Sequence, residues 1–181
     1  MFDSGESGAA RAVGPAVSTA QLSRWASALR RLAADVDDAE RIDQLRVLEE
    51  LKSAAAAAQA AVTAAFACSQ RAANGVGSGG DPDGPAARSI RAQVALARKE
   101  APHCGGRHVG LAEVLTYEMP RTLEALAQGT ISEWRATLIC RETAGLSREH
   151  RAMVDAELEG QLVGAGDRQV AQLARAAAYR L

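Results

Sequence analysis

The fold class is decided by residues 39–73, AERIDQLRVLEELKSAAAAAQAAVTAAFACSQRAA, which contain neither glycine nor proline. Ten of the fifteen residues from Ala54 to Cys68 are alanine, the residue with the highest helix propensity. The segment therefore predicts one helix of about 35 residues, which is roughly 50 Å long at 1.5 Å per residue. Only 3% of the chain is aromatic, a composition that disfavours an all-β sandwich.

Apolar side chains recur at helical spacing along this segment and form a stripe. The stripe consists of Ile42, Leu45, Leu48, Leu51, Ala55, Ala58, Val62, Ala65 and Phe66. Its alanines allow another helix to approach closely, so the stripe is expected to have a partner. The sequence leaves two possible partners for the stripe. One is an antiparallel helix of the same chain, most simply the N-terminal helix, and the other is the same helix of a second copy in a homodimer.

Capping residues and helix breakers divide the rest of the chain into shorter helices. Ser18 and Gln21 form an S-x-x-Q capping box, which begins an N-terminal helix that reaches about residue 35. Asp37 begins the long helix, and the six later helices begin near Pro85, His108, Pro120, Thr130, Ser147 and Asp167. The sequence predicts an all-α domain over 18–181 with about eight helices. The long Ala-rich helix pairs with the N-terminal helix, and a compact bundle of short helices follows.

Two segments are predicted to lack regular structure. Residues 1–17 are predicted to form a flexible tail, and residues 74–84, NGVGSGGDPDG, a flexible Gly-rich loop. The loop has no lysine and follows no strand, so it does not match a phosphate-binding P-loop.

Charge and cysteine content narrow the classes of function. The formal net charge is −1, so the chain as a whole has no general attraction to nucleic acid or membranes. Residues 86–121, however, carry six basic and three acidic side chains. Three cysteines without a CxxC pair indicate reduced thiols and a cytoplasmic protein. No apolar run reaches the length of a membrane span, so no membrane partner is predicted.

Four short motifs between Arg91 and Gly160 carry a family resemblance. They are MPRTLEAL (119–126), G-x-I-S-x-W-x-A (129–136), ETAGLS (142–147) and AMVDAEL (152–158). With the upstream segment 39–60, they resemble the N-terminal region of the actinobacterial, chiefly mycobacterial, 13E12 repeat family. The resemblance covers about residues 18–181. Members of that family combine a helical domain of unknown function with a C-terminal HNH endonuclease domain.

The resemblance assigns no catalytic residue to any position of this sequence. An HNH module uses one histidine to activate water, and another histidine and an asparagine-stabilised loop to hold a metal ion. Here the one asparagine is Asn74, and all three histidines lie before residue 151. The chain is therefore predicted to be a form without the nuclease, whether a truncated gene copy, a split product or an isolated domain, with no enzyme activity and no cofactor.

Two functions remain open at this point. The first is a non-catalytic helical module of an HNH-nuclease-like protein, which positions DNA or binds a partner. The second is a degenerate fragment of a repeated or mobile element, without activity of its own.

A candidate nucleic-acid interface lies in the basic middle third of the chain. Its residues are Arg88, Arg91 and Arg98 on one stripe of the predicted third helix, with Lys99 and Arg107 nearby. Cations grouped on one surface predict phosphate contacts, which give weak binding without sequence preference. The alternative is an arginine-rich face that is only solvated.

One local cluster has the spacing of metal ligands. It consists of His103, Cys104 and His108. A structural zinc site needs four nitrogen or sulfur ligands, and the neighbouring Arg107 disfavours a cation. No metal site is therefore predicted.

Overall fold

The computed structural model describes residues 17–75, 81 and 83–181. Over these residues the chain is all-α, as predicted, and has no strand. The eight α-helices are α1 (Thr19–Leu29), α2 (Asp38–Ala73), α3 (Pro85–Ala97), α4 (Gly105–Tyr117), α5 (Pro120–Ala127), α6 (Glu133–Glu142), α7 (Arg148–Leu158) and α8 (Asp167–Ala178). The predicted tail, apart from Val17, and the predicted loop at 76–80 and 82 lie outside the described residues.

The chain divides into two compact units, Met1–Ile42 and Asp43–Leu181. In the first unit the predicted capping box is confirmed. Ser18 Oγ accepts a hydrogen bond from the Gln21 amide at 3.3 Å, and Gln21 Oε1 accepts one from the Ser18 amide at 2.8 Å. Helix α1 ends at Leu29, earlier than predicted. The predicted pairing of α1 with α2 concerns two separate units and stays a prediction.

Within the second unit, α2 packs on the other helices through a face of small side chains. That face consists of Ser53, Ala56, Ala57, Ala60, Ala64 and Ala67, all of them buried. The predicted apolar stripe lies mainly on the opposite side, where Leu51 is 47% and Val62 is 69% exposed. The bundle is therefore not the partner of this stripe, and its pairing with α1 or with a second copy stays a prediction. Both sides of α2 are apolar, and the bundle packs against the side whose alanines make room for its larger side chains.

The core of the second unit is built from aliphatic side chains of α4 to α8 placed against the alanines of α2. Its largest fully buried members are Leu115, Met119, Leu126, Ile131, Ile139, Val154, Leu158 and Val170. A smaller cluster of Ala67, Ile90, Val94 and Val109 joins α2, α3 and α4, and Phe66 packs against it. Burial of a side chain of this kind stabilises the fold by about 1.5–3 kcal/mol.

Several helix boundaries differ from the sequence-based ones. Helix α4 begins at Gly105, three residues before the predicted start near His108. Ser132, rather than Thr130, is the N-cap of α6 and accepts a hydrogen bond from the Arg135 amide at 3.3 Å. Ser147 caps α7 as predicted, accepting from the His150 amide at 3.2 Å.

Arginine side chains link neighbouring helices of the second unit through ion pairs. The pairs with distances of 2.5–2.9 Å are Arg121–Glu159, Arg135–Asp167, Arg151–Glu118 and Arg175–Glu142, and Arg71 pairs with Glu113. Arg121–Glu159, in which both side chains are exposed, contributes about 0–1 kcal/mol, whereas Arg151–Glu118 is partly buried. Much of the arginine content of the chain therefore serves the fold.

Helix α2 is long and apolar enough to cross a membrane by length and composition alone. In the apolar window that passes this test, 39% of the residues are buried inside the fold. The core helix of a soluble protein passes the same test. The cytoplasmic location and the lack of a membrane partner remain predictions.

Candidate nucleic-acid interface

The five predicted cations lie on α3, on α4 and on the turn between them. Arg88 and Arg91 belong to α3, Arg98 is its C-terminal cap, and Lys99 follows. Arg107 lies in the first turn of α4. Close packing of α3 and α4 therefore brings together cations from two helices.

A glycine allows this close packing. A Cβ atom added to Gly105 would lie 1.9 Å from the carbonyl oxygen of Arg91 and 2.7 Å from its carbonyl carbon. Only the hydrogen of glycine fits between these two backbones. The sequence does not reveal this role, because a Gly-Gly pair also signals the end of a helix.

Asp83 neutralises one end of the candidate interface. Its Oδ1 lies 3.0 Å from Nη2 of Arg91, and its main-chain carbonyl accepts a hydrogen bond from Nη1 of Arg88. The Asp83 side chain is largely solvated. Arg88 remains exposed, and Arg91 is partly covered.

Glu100 neutralises positive charge at the other end of the candidate interface. Its Oε2 lies 2.9 Å from Nε2 of His108 and 3.4 Å from Nη2 of Arg107, and its Oε1 lies 3.9 Å from Nε of Arg98. The hydrogen bond with His108 lowers the pKa of Glu100, opposed by desolvation and assisted by Cys104 and Arg107. Glu100 is therefore ionised at neutral pH and offsets part of the surrounding positive charge.

Arg98 is held between helices, so it is poorly placed for a phosphate contact. Its Nη1 donates to Gln59 Oε1 on α2 at 2.9 Å, and its Nη2 donates to Glu133 Oε1 on α6 at 3.3 Å. Its side chain is only 18% exposed. The contacts on α2 and α6 indicate that Arg98 joins three helices.

Lys99 closes α3 in a left-handed conformation with φ of 58°. The Lys99 amide donates to the Leu96 carbonyl at 3.0 Å, and the Glu100 amide donates to the Ala95 carbonyl at 2.9 Å. These two hydrogen bonds form a Schellman motif, in which glycine usually occupies the position of Lys99. The Lys99 side chain is exposed.

The histidines and cysteines do not form a metal-binding cluster in the part of the chain that the structure describes. No group of three or more His, Cys, Asp or Glu side chains there is arranged to hold an ion. His108 is buried and contacts Glu100. Burial raises the pKa of the Cys140 thiol to about 12, which keeps this thiol protonated and a poor nucleophile.

The motifs behind the family resemblance have structural roles. Gly129, with φ of 73°, ends α5 so close to α2 that an added Cβ would lie 3.1 Å from Cα of Glu50. In ETAGLS, Thr143 is fully buried, and its carbonyl accepts a hydrogen bond from Nε of Arg151 at 3.0 Å. MPRTLEAL and AMVDAEL meet where Asp155 caps α5.

Arg151 and Asp155 could not be predicted from the sequence. Both lie on α7 and contact segments far away in the sequence, so no local signal marks either role. Comparisons with protein-family models, with curated proteins and with solved structures return no match for this chain. The resemblance to the 13E12 repeat family stays a prediction.

Proposed function

We propose that this chain is a non-catalytic helical module that contacts the phosphate backbone of duplex DNA and positions an HNH-nuclease-like protein there. The observation that supports this function is the exposure of Arg88, Lys99 and Arg107 around the packed helices α3 and α4. Arg88 and Lys99 are separated by roughly 16 Å at 1.5 Å per residue. That span is about five base pairs at 3.4 Å per phosphate on one strand.

The local charge balance sets the strength of binding. The five cations face the carboxylates of Asp83, Glu100 and Glu133, so two positive charges are left over. Three phosphate contacts give a slope of about −3 for log affinity against log salt, at 0.9 per phosphate. Binding is expected to be micromolar or weaker at physiological salt and to show no sequence preference.

The experiment is a fluorescence anisotropy titration of duplex DNA at low and moderate salt. Lys99→Glu combined with Arg107→Glu reverses two exposed charges and is expected to abolish binding. Arg24→Glu combined with Arg168→Glu is the matched control, because both residues are exposed and lie outside the candidate interface. Arg98 is left intact because its loss would disturb the packing of three helices.

A second variant tests for a gain of affinity. Asp83→Asn removes an exposed carboxylate that pairs with Arg91, and it is expected to tighten DNA binding about twofold to threefold at low salt. If the wild-type chain does not bind at low salt, or if both charge-reversal doubles lose binding equally, the interface is only a solvated face. The alternative function, a degenerate fragment without activity of its own, then replaces the proposal.

A further inference from the structure

We propose that the exposed face of α2 is the seam of an antiparallel homodimer. This face, here called the outer stripe, consists of Leu48, Leu51, Ala55, Ala58, Val62 and Ala65. Leu48 is partly buried, and the other five residues are exposed. The inference is independent of DNA binding, because the outer stripe contains no residue of α3 or α4.

The outer stripe has the spacing of helices that pair along their length. Its residues are separated alternately by three and four positions, the heptad pattern of coiled coils. The buried side of α2 repeats in the same way at Ser53, Ala57, Ala60, Ala64 and Ala67. Helix α2 thus carries two apolar seams on opposite sides, and the bundle of the second unit covers one of them.

The length of α2 indicates what covers the other seam. Helix α1 has 11 residues, or roughly 16 Å, whereas α2 has 36 residues, or roughly 54 Å. The outer stripe spans 18 residues, or roughly 27 Å, so one copy of α1 is too short to cover all of it. A second α2 spans the whole outer stripe and repeats its pattern.

The contact area is at the lower end for a specific dimer. The outer stripe spans 18 residues, roughly 27 Å, and at a width of 10–12 Å it offers about 300 Å² of the about 600 Å² on this side of α2. Two helices that overlap along their full length would bury about 1,200 Å² in total, about half of it along the outer stripes, which is the lower end of the range for specific interfaces. This area favours a dimer that forms at micromolar concentrations over one that is permanent.

The pattern of side-chain sizes favours an antiparallel arrangement. A two-fold axis midway between Ala55 and Ala58 places Leu48 opposite the partner's Ala65 and Leu51 opposite the partner's Val62. Each layer then combines a larger with a smaller side chain, or two alanines at the centre. A parallel pair would instead stack leucine on leucine, which holds the helices apart and leaves voids at the alanine layers.

Charge also favours the antiparallel pair. Apart from Arg71, the charged residues of α2 all lie at 38–52. An antiparallel partner places them beside the uncharged second half of the other helix. A parallel partner would place the two charged halves, each with five acidic and three basic side chains, side by side, and like net charges across a seam destabilise it.

The first experiment measures mass by sedimentation equilibrium at micromolar concentrations. Wild type, of 18.9 kDa per chain, is expected to form a species of about 38 kDa. Val62→Glu places a charge in the seam and is expected to weaken dimerisation by about tenfold or more. Leu96→Glu is the matched control, because Leu96 is 78% exposed on α3. Circular dichroism checks that both variants fold.

The second experiment tests orientation with a short thiol cross-linker and peptide mass mapping. In the proposed dimer Val47 lies beside the partner's Cys68, so Val47→Cys is expected to give a cross-link to the exposed native Cys68. These positions are roughly 32 Å apart within one helix, so the link must join two chains. Wild type is expected to give no link between the two Cys68 residues.

Four results would overturn the proposal. A wild-type chain that stays monomeric up to high micromolar concentration rules out the dimer. Equal weakening by Val62→Glu and Leu96→Glu places the seam elsewhere. A cross-link between the two Cys68 residues in wild type, or none in Val47→Cys, contradicts the antiparallel register. DNA titrations of the α3 and α4 variants are unaffected by any of these outcomes.

Discussion

Asp155 of α7 caps the start of α5 through Thr122. Its Oδ1 accepts hydrogen bonds from the Thr122 amide at 2.8 Å and from the Thr122 hydroxyl at 2.6 Å. Its Oδ2 accepts one from the Arg121 amide at 2.8 Å. The N-cap residue of α5 is Met119, which has no side-chain cap. A carboxylate from another helix therefore satisfies the amides that the local sequence leaves without a partner.

Removal of this cap is expected to destabilise the second unit strongly. Asp155→Ala leaves the buried Thr122 amide and the part-buried Arg121 amide without their acceptor, and we expect the free energy of unfolding to fall by about 3 kcal/mol. Urea unfolding followed by circular dichroism measures the change. Thr122→Val keeps the contact between its amide and Asp155 and loses only the hydroxyl. The free energy of unfolding is therefore expected to fall by about 1 kcal/mol. A loss below about 0.5 kcal/mol for Asp155→Ala would contradict the role of the cap.

Two glycines of α4 are expected to respond in opposite ways to the same substitution. Gly105→Ala forces α3 and α4 apart at Arg91, and a loss of about 2–4 kcal/mol is expected. Gly110→Ala places its methyl group in open space within the helix, so a gain of about 0.5–1 kcal/mol is expected. Thermal unfolding of both variants provides the comparison. Equal changes in stability for the two variants would show that the close approach of Gly105 to Arg91 does not limit the substitution.

Neighbouring alanines of α2 distinguish its two faces. Ala64 is fully buried, and Ala64→Leu is expected to cost about 1–3 kcal/mol because it overpacks the core. Ala65 is exposed, and Ala65→Leu is expected to change the free energy of unfolding by less than about 0.5 kcal/mol in dilute solution. Urea unfolding at low protein concentration tests both. The reverse order would contradict this assignment of the two faces.

Replacing the left-handed residue at the end of α3, Lys99, by glycine is expected to stabilise the fold. Lys99→Gly relieves the unfavourable φ of 58° and keeps the main-chain hydrogen bonds of the cap. A gain of about 0.5–1 kcal/mol in the free energy of unfolding is expected, measured by urea unfolding. Lys99→Ala serves as the control, since it removes the same charge but keeps the strain. A similar gain in both variants would assign the effect to charge.

Glu100 is expected to contribute to acid sensitivity. Its pKa is lowered in the folded chain, so its contribution is present above the unfolded-state pKa and is lost as pH falls through the lowered folded-state pKa. Glu100→Gln should therefore lose stability less steeply than wild type as pH falls below about 4.3, the ordinary glutamate pKa. Urea unfolding at several pH values tests this. Parallel curves for the two proteins would contradict it.

The all-α class follows from local properties of the sequence. The alanine run without glycine or proline forms α2, and Ser18 and Ser147 begin helices where the capping rules predict. These signals act over three or four residues and need no knowledge of the rest of the fold. The five candidate cations could likewise be found from their clustering along the chain.

The packing face of α2 and the environment of each cation were decided only by tertiary structure. Periodicity identifies apolar faces, but it does not choose between two of them when the chain elsewhere supplies the larger side chains. Lys99 and Arg98 are adjacent cations in the sequence. The fold exposes Lys99 and holds Arg98 against Gln59 and Glu133, because α2 and α6 pack beside α3. Contacts between residues more than 30 positions apart fix that difference, and neither residue type nor spacing encodes it locally.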